Sequence, residues 1–164
     1  MKQNSSKVHR MKKDMSQKLV MMRYQQNDFQ EHDHHFFELA YVTSGSAEHT
    51  LNGTRSILKP NDFFFIDLGS YHSFEHAKNL ELINCLFVPE FIDETLQGCE
   101  SLDALLHSSM IRYSRLTVGQ TWADRIFHDE SGKIGALLSE MVDEYENKQL
   151  GSNEIFRCHL KEIL

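Results

Sequence analysis

The feature that most constrains this chain is the close, even spacing of turn signals between Glu38 and Val88. Ser44-Gly45-Ser46, Asn52-Gly53, Lys59-Pro60-Asn61-Asp62 and Asp67-Leu68-Gly69-Ser70 interrupt short runs with the period of a strand. In Glu38 to Thr43, Leu39, Tyr41 and Thr43 share one face, and Glu38, Ala40 and Val42 the other. Asn52-Gly53, flanked by Ala47 to Leu51 and Thr54 to Leu58, is the two-residue signature of a type I′ hairpin, whose central residues both need positive φ. Phe63 to Ile66 is so apolar that it predicts a strand buried on both faces. Tyr71 to His76 and Leu80 to Val88 continue the series. Many short strands at such spacing imply an antiparallel barrel or sandwich.

One stretch offers chemistry. In His32-Asp33-His34-His35-Phe36-Phe37-Glu38, His32 and His34 project to one side of an extended chain, and Glu38 keeps their parity unless the chain bulges. His72, after the turn at Asp67 to Ser70, adds a third imidazole. Three histidines and a carboxylate suit a divalent transition ion such as Zn, Ni, Fe, Mn or Co. Equally, they could line a polar pocket without any metal.

The first stretch, together with Gly45, reads H-x-H-x-x-x-E-x-x-x-x-x-x-G and resembles the first motif of the cupins, barrels of the double-stranded β-helix (jelly-roll) type. Gly69 and His72 are in register with the second cupin motif, which the chain departs from at Asp67 (usually proline), Asn61 (usually glycine) and His76 (usually asparagine). The resemblance implies His32, His34, Glu38 and His72 as metal ligands.

After Pro89 the period becomes helical. Pro89 to Leu96 and Ser101 to Ile111 read as short helices, Arg115 to Val118 as a returning strand, and Glu130 to Gln149 as an amphipathic helix. Gly151-Ser152-Asn153 ends that helix and opens a second from Glu154. The second helix reaches Leu164 without a cap, so a longer polypeptide is expected to continue beyond it. The order of parts (His34 to Gly45, the Asn-Gly hairpin, Pro60 to Asp62, His72, Leu86-Phe87-Val88-Pro89-Glu90-Phe91 and Met141 to Tyr145) resembles the N-terminal sensor domain of AraC-type transcription regulators. That resemblance implies a mainly β cupin barrel at 19–90 that receives a small-molecule effector, often a sugar. It further implies a helical dimerisation region at 91–164, and contact with DNA only through a domain absent from this chain.

Charge divides the chain. Lys2, Lys7, Arg10, Lys12, Lys13, Lys18 and Arg23 face only Asp14 in residues 1–23, while the whole carries a net charge of −7. Residues 1–18 therefore read as a flexible basic arm, and the acidic body is unsuited to holding phosphates itself. The arm could close over the pocket. Cys85, Cys99 and Cys158 are odd in number and lack a C-x-x-C pair, which predicts reduced thiols. No apolar run reaches spanning length and no signal peptide is evident, so a cytoplasmic protein without membrane contact is expected.

Effector contact falls by parity to Phe36, Phe74 and His76, beside Glu38 and His72; for the two phenylalanines, core filling is the competing role. His35 and His49 read as surface residues. Ile134, Leu137, Leu138, Met141 and Tyr145 form a helical stripe, assigned to a homodimer interface in competition with packing on the barrel. The alternative function is a stand-alone metal-dependent cupin enzyme, a dioxygenase or isomerase. Neither a nucleophile elbow nor a phosphate loop is present.

Overall fold

A computed structural model describes residues 9–107 and 126–164. Two long antiparallel strands, β4 (Phe37–Leu51) and β7 (Tyr71–Phe87), form its backbone, in register from Phe37 opposite Phe87 to Leu51 opposite His72. Around them stand β1 (His9–Arg10), β2 (Leu19–Gln26), β3 (Phe29–Asp33), β5 (Thr54–Leu58), β6 (Asp62–Ile66) and β8 (Ile126–His128). Among the described residues these make one eight-stranded sheet in the order β1-β3-β7-β4-β6-β8, with β2 added on β7 and β5 on β4. All pairs are antiparallel except β1 with β3. The mainly β barrel followed by helices agrees with the expected class.

Four strand segments in the sequence are thus two bent strands. At Gly45, φ is +77°, and a Cβ there would sit 2.1 Å from the carbonyl oxygen of Asn79. Opposite it, His76 and Asn79 also have positive φ, +55° and +47°. Pairing register shifts three times between Val42 and Glu48. The glycine therefore marks a bulged bend inside a continuous ladder rather than a turn.

The Asn52-Gly53 hairpin is as expected, with φ of +47° and +82°. Its tip is stitched to the next turn: Asn52 Nδ2 donates to Ser70 Oγ (3.0 Å), and Tyr71 N donates to Asn52 Oδ1 (3.0 Å). Ser70 Oγ in turn donates to Asp67 Oδ1 (2.5 Å), and Asp67 Oδ2 accepts from the backbone N of Leu102 (3.1 Å). An aspartate where cupins usually carry proline thus ties the turn to the helical region.

Strand parity separates two cores. Ala40, Val42, Phe64, Ile66, Leu80 and Leu82 fill the barrel. Phe37, Leu39, Tyr41, Phe63, Phe65, Ile83, Cys85 and Phe87, from the opposite faces of the same strands, meet the helices. Phe63 to Ile66 is accordingly buried on both sides.

The helices are α1 (Pro89–Ile92), α2 (Leu102–Leu106), α3 (Lys133–Asn147) and α4 (Ser152–Ile163), with a 3-10 turn at Glu94–Leu96. The expected strand at Arg115 to Val118, the end of the helix expected to reach Ile111 and arm residues 1–8 lie outside the described residues. β8, too short for its alternation to register, pairs with β6.

The stripe on α3 differs from its assignment to a partner. Leu138 and Met141 are wholly buried against this chain's own core, and Ile134 and Tyr145 pack partly buried on the same cluster, with Leu137 half-buried. The outer face of the sheet offers the nearest apolar surface, and the helix folds onto it. No helix among the described residues is long and apolar enough to cross a membrane.

A candidate ligand pocket beside a histidine–carboxylate cluster

β3 and the chain entering β4 bring His32, His34 and Glu38 to the barrel interior, and β7 adds His72 and Asn84; all five are buried. His34 Nδ1 lies 2.7 Å from the carbonyl oxygen of Phe36. Because a carbonyl only accepts, the proton sits on Nδ1, and the lone pair of Nε2 faces Glu38 Oε2 at 3.3 Å. Glu38 Oε1 accepts from Asn84 Nδ2 (2.6 Å), which also reaches the Tyr24 hydroxyl (3.0 Å).

Ligand atoms of His34, Glu38 and His72 all lie within 4.8 Å of one another. Nε2 of His34 and of His72 are buried without a hydrogen-bond partner, as is Asn84 Oδ1. Such groups are costly to leave unsatisfied, so two bare imidazole nitrogens beside a carboxylate suit a cation. His32 stands apart from this trio. Its Nδ1 donates to the carbonyl of Gln30 (3.0 Å) and its ring lies against that of His72, centroids 4.1 Å apart.

The cluster borders a barrel cavity of about 320 Å³. Met22, Phe29, Phe36, Phe74 and Leu86 supply apolar lining; Tyr24, His32, Glu38, His72 and Asn84 supply polar atoms; Met11 and Lys13 of the basic arm line it as well. The arm is held there by β1 pairing with β3, by Met11 N donating to the Asp33 carbonyl (2.8 Å), and by Arg10 gripping both carboxylate oxygens of Asp33 (3.0 and 2.7 Å). Larger hollows of about 710 Å³ lie on the α3–α4 surface, but buried polar atoms do not converge there. The barrel cavity is the better candidate.

Phe36 and Phe74 line the cavity as expected. His76 does not: at positive φ in the bulge of β7 it turns outward, is exposed, and pairs with Glu48 (3.2 Å). His35 is exposed as expected, whereas His49, expected on the surface, is fully buried. Bulging at Gly45 reverses parity along β4, so that Val42 and then Ala47, His49 and Leu51 point inward. Asn84 and Tyr24 were not anticipated; a single amide inside the apolar run Leu80 to Val88 was the available signal.

Burial sets the electrostatics. It pushes the His49 imidazolium pKa down to about 3, and that of His72 well below the ordinary histidine range, with neighbouring histidines adding to both. His32 is lowered by burial too, and the Tyr24 phenol is raised, first by burial and then by the charge of Glu38. Burial thus favours the neutral imidazole at His32, His49 and His72, the form that ligates metals and accepts hydrogen bonds.

A model of the AraC-like ligand binding domain matches residues 20–164. The HTH-type transcriptional activator RhaR of Yersinia pseudotuberculosis serotype O:1b (strain IP 31758) is 34% identical over 98 residues, which cover 60% of this chain and 34% of that protein. RhaR of Cronobacter sakazakii (strain ATCC BAA-894) is 38% identical over 72 residues, covering 44% and 25% respectively. The chain thus matches about a third or less of the length of these relatives. A crystal structure of apo ToxT from Vibrio cholerae strain SCE256 superposes with a TM-score of 0.58 over 89% of this chain and 54% of that one, at 9% identity, and so shares its fold. With its barrel, its helices and a family match across nearly its whole length, this chain belongs to the family of AraC-like ligand-binding domains.

Proposed function

We propose that this chain is the effector-sensing and dimerisation domain of a transcription regulator of the AraC type, and that its barrel binds a small polyhydroxylated metabolite, a sugar in the first instance. The observation that carries this reading is a cavity of about 320 Å³ that joins aromatic walls to buried polar atoms without partners. That volume is at the small end of ligand sites and fits a monosaccharide-sized molecule. Asn84 Oδ1 accepts a hydroxyl proton, Glu38 accepts another, and Phe36 and Phe74 offer faces for the carbon skeleton.

Because Met11 and Lys13 line the same cavity, an effector that fits better with the arm in place shifts the population toward that arrangement. Contact with DNA falls to a segment beyond this chain, as the helix-turn-helix designation of the RhaR relatives suggests. Dimerisation, with the α3 stripe occupied internally, falls to the outer side of the α3–α4 pair, where Leu150 in the connecting turn and Ile155 on α4 are exposed.

A second reading rests on the unpartnered Nε2 atoms of His34 and His72 beside Glu38. These three side chains would hold a divalent transition ion, which would supply Lewis acidity toward an effector hydroxyl or carboxylate. A metal-dependent isomerase or dioxygenase would need the same ion, and the regulator relatives favour recognition over turnover. The deciding experiment is a thermal-shift screen of the purified chain against monosaccharides and sugar acids, with and without Zn(II), followed by calorimetry. At least one compound is expected to raise Tm in the parent and not in Asn84→Leu. A panel with no binder, or a binder indifferent to Asn84→Leu, overturns the pocket.

A further inference from the structure

His49 is a buried ionisable side chain that does not line the cavity yet touches the cluster beside it. Its ring packs against those of Phe64 and Phe74, with centroids 4.3 and 4.9 Å away. Its Nε2 lies 3.3 Å from His72 Nδ1, while its own Nδ1 is buried without a partner.

Two facing ring nitrogens share one proton in two ways. If His49 Nε2 donates, His72 Nδ1 is the acceptor, and the His72 proton sits on Nε2, where it blocks ligation. If His72 Nδ1 donates, His49 Nε2 accepts, the His49 proton sits on Nδ1, and the lone pair of His72 Nε2 is aimed at the space shared with His34 and Glu38. Each arrangement leaves one N–H and one lone pair unpartnered, so hydrogen-bond count alone does not choose between them. A cation on Nε2 does.

The neighbouring His34 has the second pattern already, its Nδ1–H bound to the Phe36 carbonyl and its Nε2 turned inward. The partner of a ligating imidazole's other nitrogen is usually a carbonyl or carboxylate. For His72 that partner is a side chain, which mutation can remove.

We infer that His49 is the positioning residue of the cation site: it accepts the Nδ1–H of His72 and so commits His72 Nε2 to ligation. This rests on the cation reading above. The ring is held for the task by its two phenylalanine neighbours.

The test is Zn(II) titration of the whole chain against a chromophoric chelator for the parent, His49→Phe and His49→Gln, with 15N spectra of the imidazoles of the zinc-loaded parent. Phenylalanine keeps an aromatic ring in contact with Phe64 and Phe74 and removes the acceptor; glutamine restores an acceptor oxygen. The expected result is a loss of roughly 10- to 100-fold in affinity for His49→Phe, substantial recovery in His49→Gln, and a proton on Nδ1 of both His49 and His72 in the loaded parent. Unchanged affinity in a folded His49→Phe overturns the inference, as does a proton on His49 Nε2 with zinc bound. The spectra of the parent decide the matter even if His49→Phe does not fold. A parent that takes up no Zn(II) overturns the cation reading itself, and the role of His49 with it.

Discussion

The two faces of β4 and β7 make opposite use of the same backbone. On the helix side, Phe37, Leu39, Ile83, Cys85 and Phe87 are buried apolar residues packed under α3 and α4. On the barrel side near the cavity, the alternating positions hold Glu38, His72 and Asn84, and two of these carry unpartnered buried atoms. One face yields stability by burying apolar area; the other gives some of it up to keep polar groups available for a ligand. Period-two alternation keeps the two tasks one residue apart.

The largest expected break in this contrast is Leu138→Asp on the helix side. Leu138 is fully buried on α3 and packs within the chain. A carboxylate there costs about 4 kcal/mol or more, a large share of the ~5–15 kcal/mol that stabilises an ordinary domain. The urea midpoint should fall sharply; an unchanged midpoint in a monomeric Leu138→Asp would return the stripe to a dimer interface.

Acid should act on the barrel side instead. His49, pushed down to about 3 by burial, and His72, well below its ordinary value, are neutral when folded and free to protonate when unfolded. A base with a depressed folded pKa stabilises fully above its unfolded value of about 6.5 and loses that contribution as pH falls toward the folded value. Between pH 7 and pH 5 the metal-free protein should lose about 2 kcal/mol for His49 alone. Urea midpoints in EDTA that stay constant over this range would show that these rings are not buried neutral.

Glu38→Gln should have a small effect of the opposite sign. The amide oxygen still accepts from Asn84, and its N–H can donate to the bare Nε2 of His34. Stability should hold or rise by up to about 1 kcal/mol, while Zn(II) affinity falls at least tenfold. A clear loss of stability would mean that the carboxylate serves the fold more than the ligand.

Most of the scaffold was legible because its signals are local: Asn52-Gly53 needs no tertiary context, and Phe63 to Ile66 declares burial by composition. Elements that failed to register depend on geometry across strands. Gly45 looks like a turn until Asn79 is known to lie against it, and His49 looks exposed until the bulge has reversed its parity. Counting in twos points His76 into the pocket, but the count fails across a segment with positive φ. Within the cluster, His34, Glu38 and His72 come within ligand distance of one another, whereas His32 stands outside that trio with its ring against His72, a placement that spacing along the chain does not encode.

The mildest perturbation belongs to neither face but to the arm between cavity and solvent. Arg10 is an exposed residue, and its two hydrogen bonds to Asp33 are, with the short β1–β3 pairing, what fixes the arm beside the pocket. Arg10→Ala should leave Tm unchanged, since a solvent-exposed ion pair contributes little to global stability. It should instead raise the rate at which trypsin cleaves at Lys12 and Lys13, because local opening is governed by local contacts. If an effector binds with the arm in place, its addition slows cleavage in the parent more than in Arg10→Ala. Cleavage equally fast in both proteins, with and without a confirmed effector, would separate the arm from the pocket and leave recognition to the barrel alone.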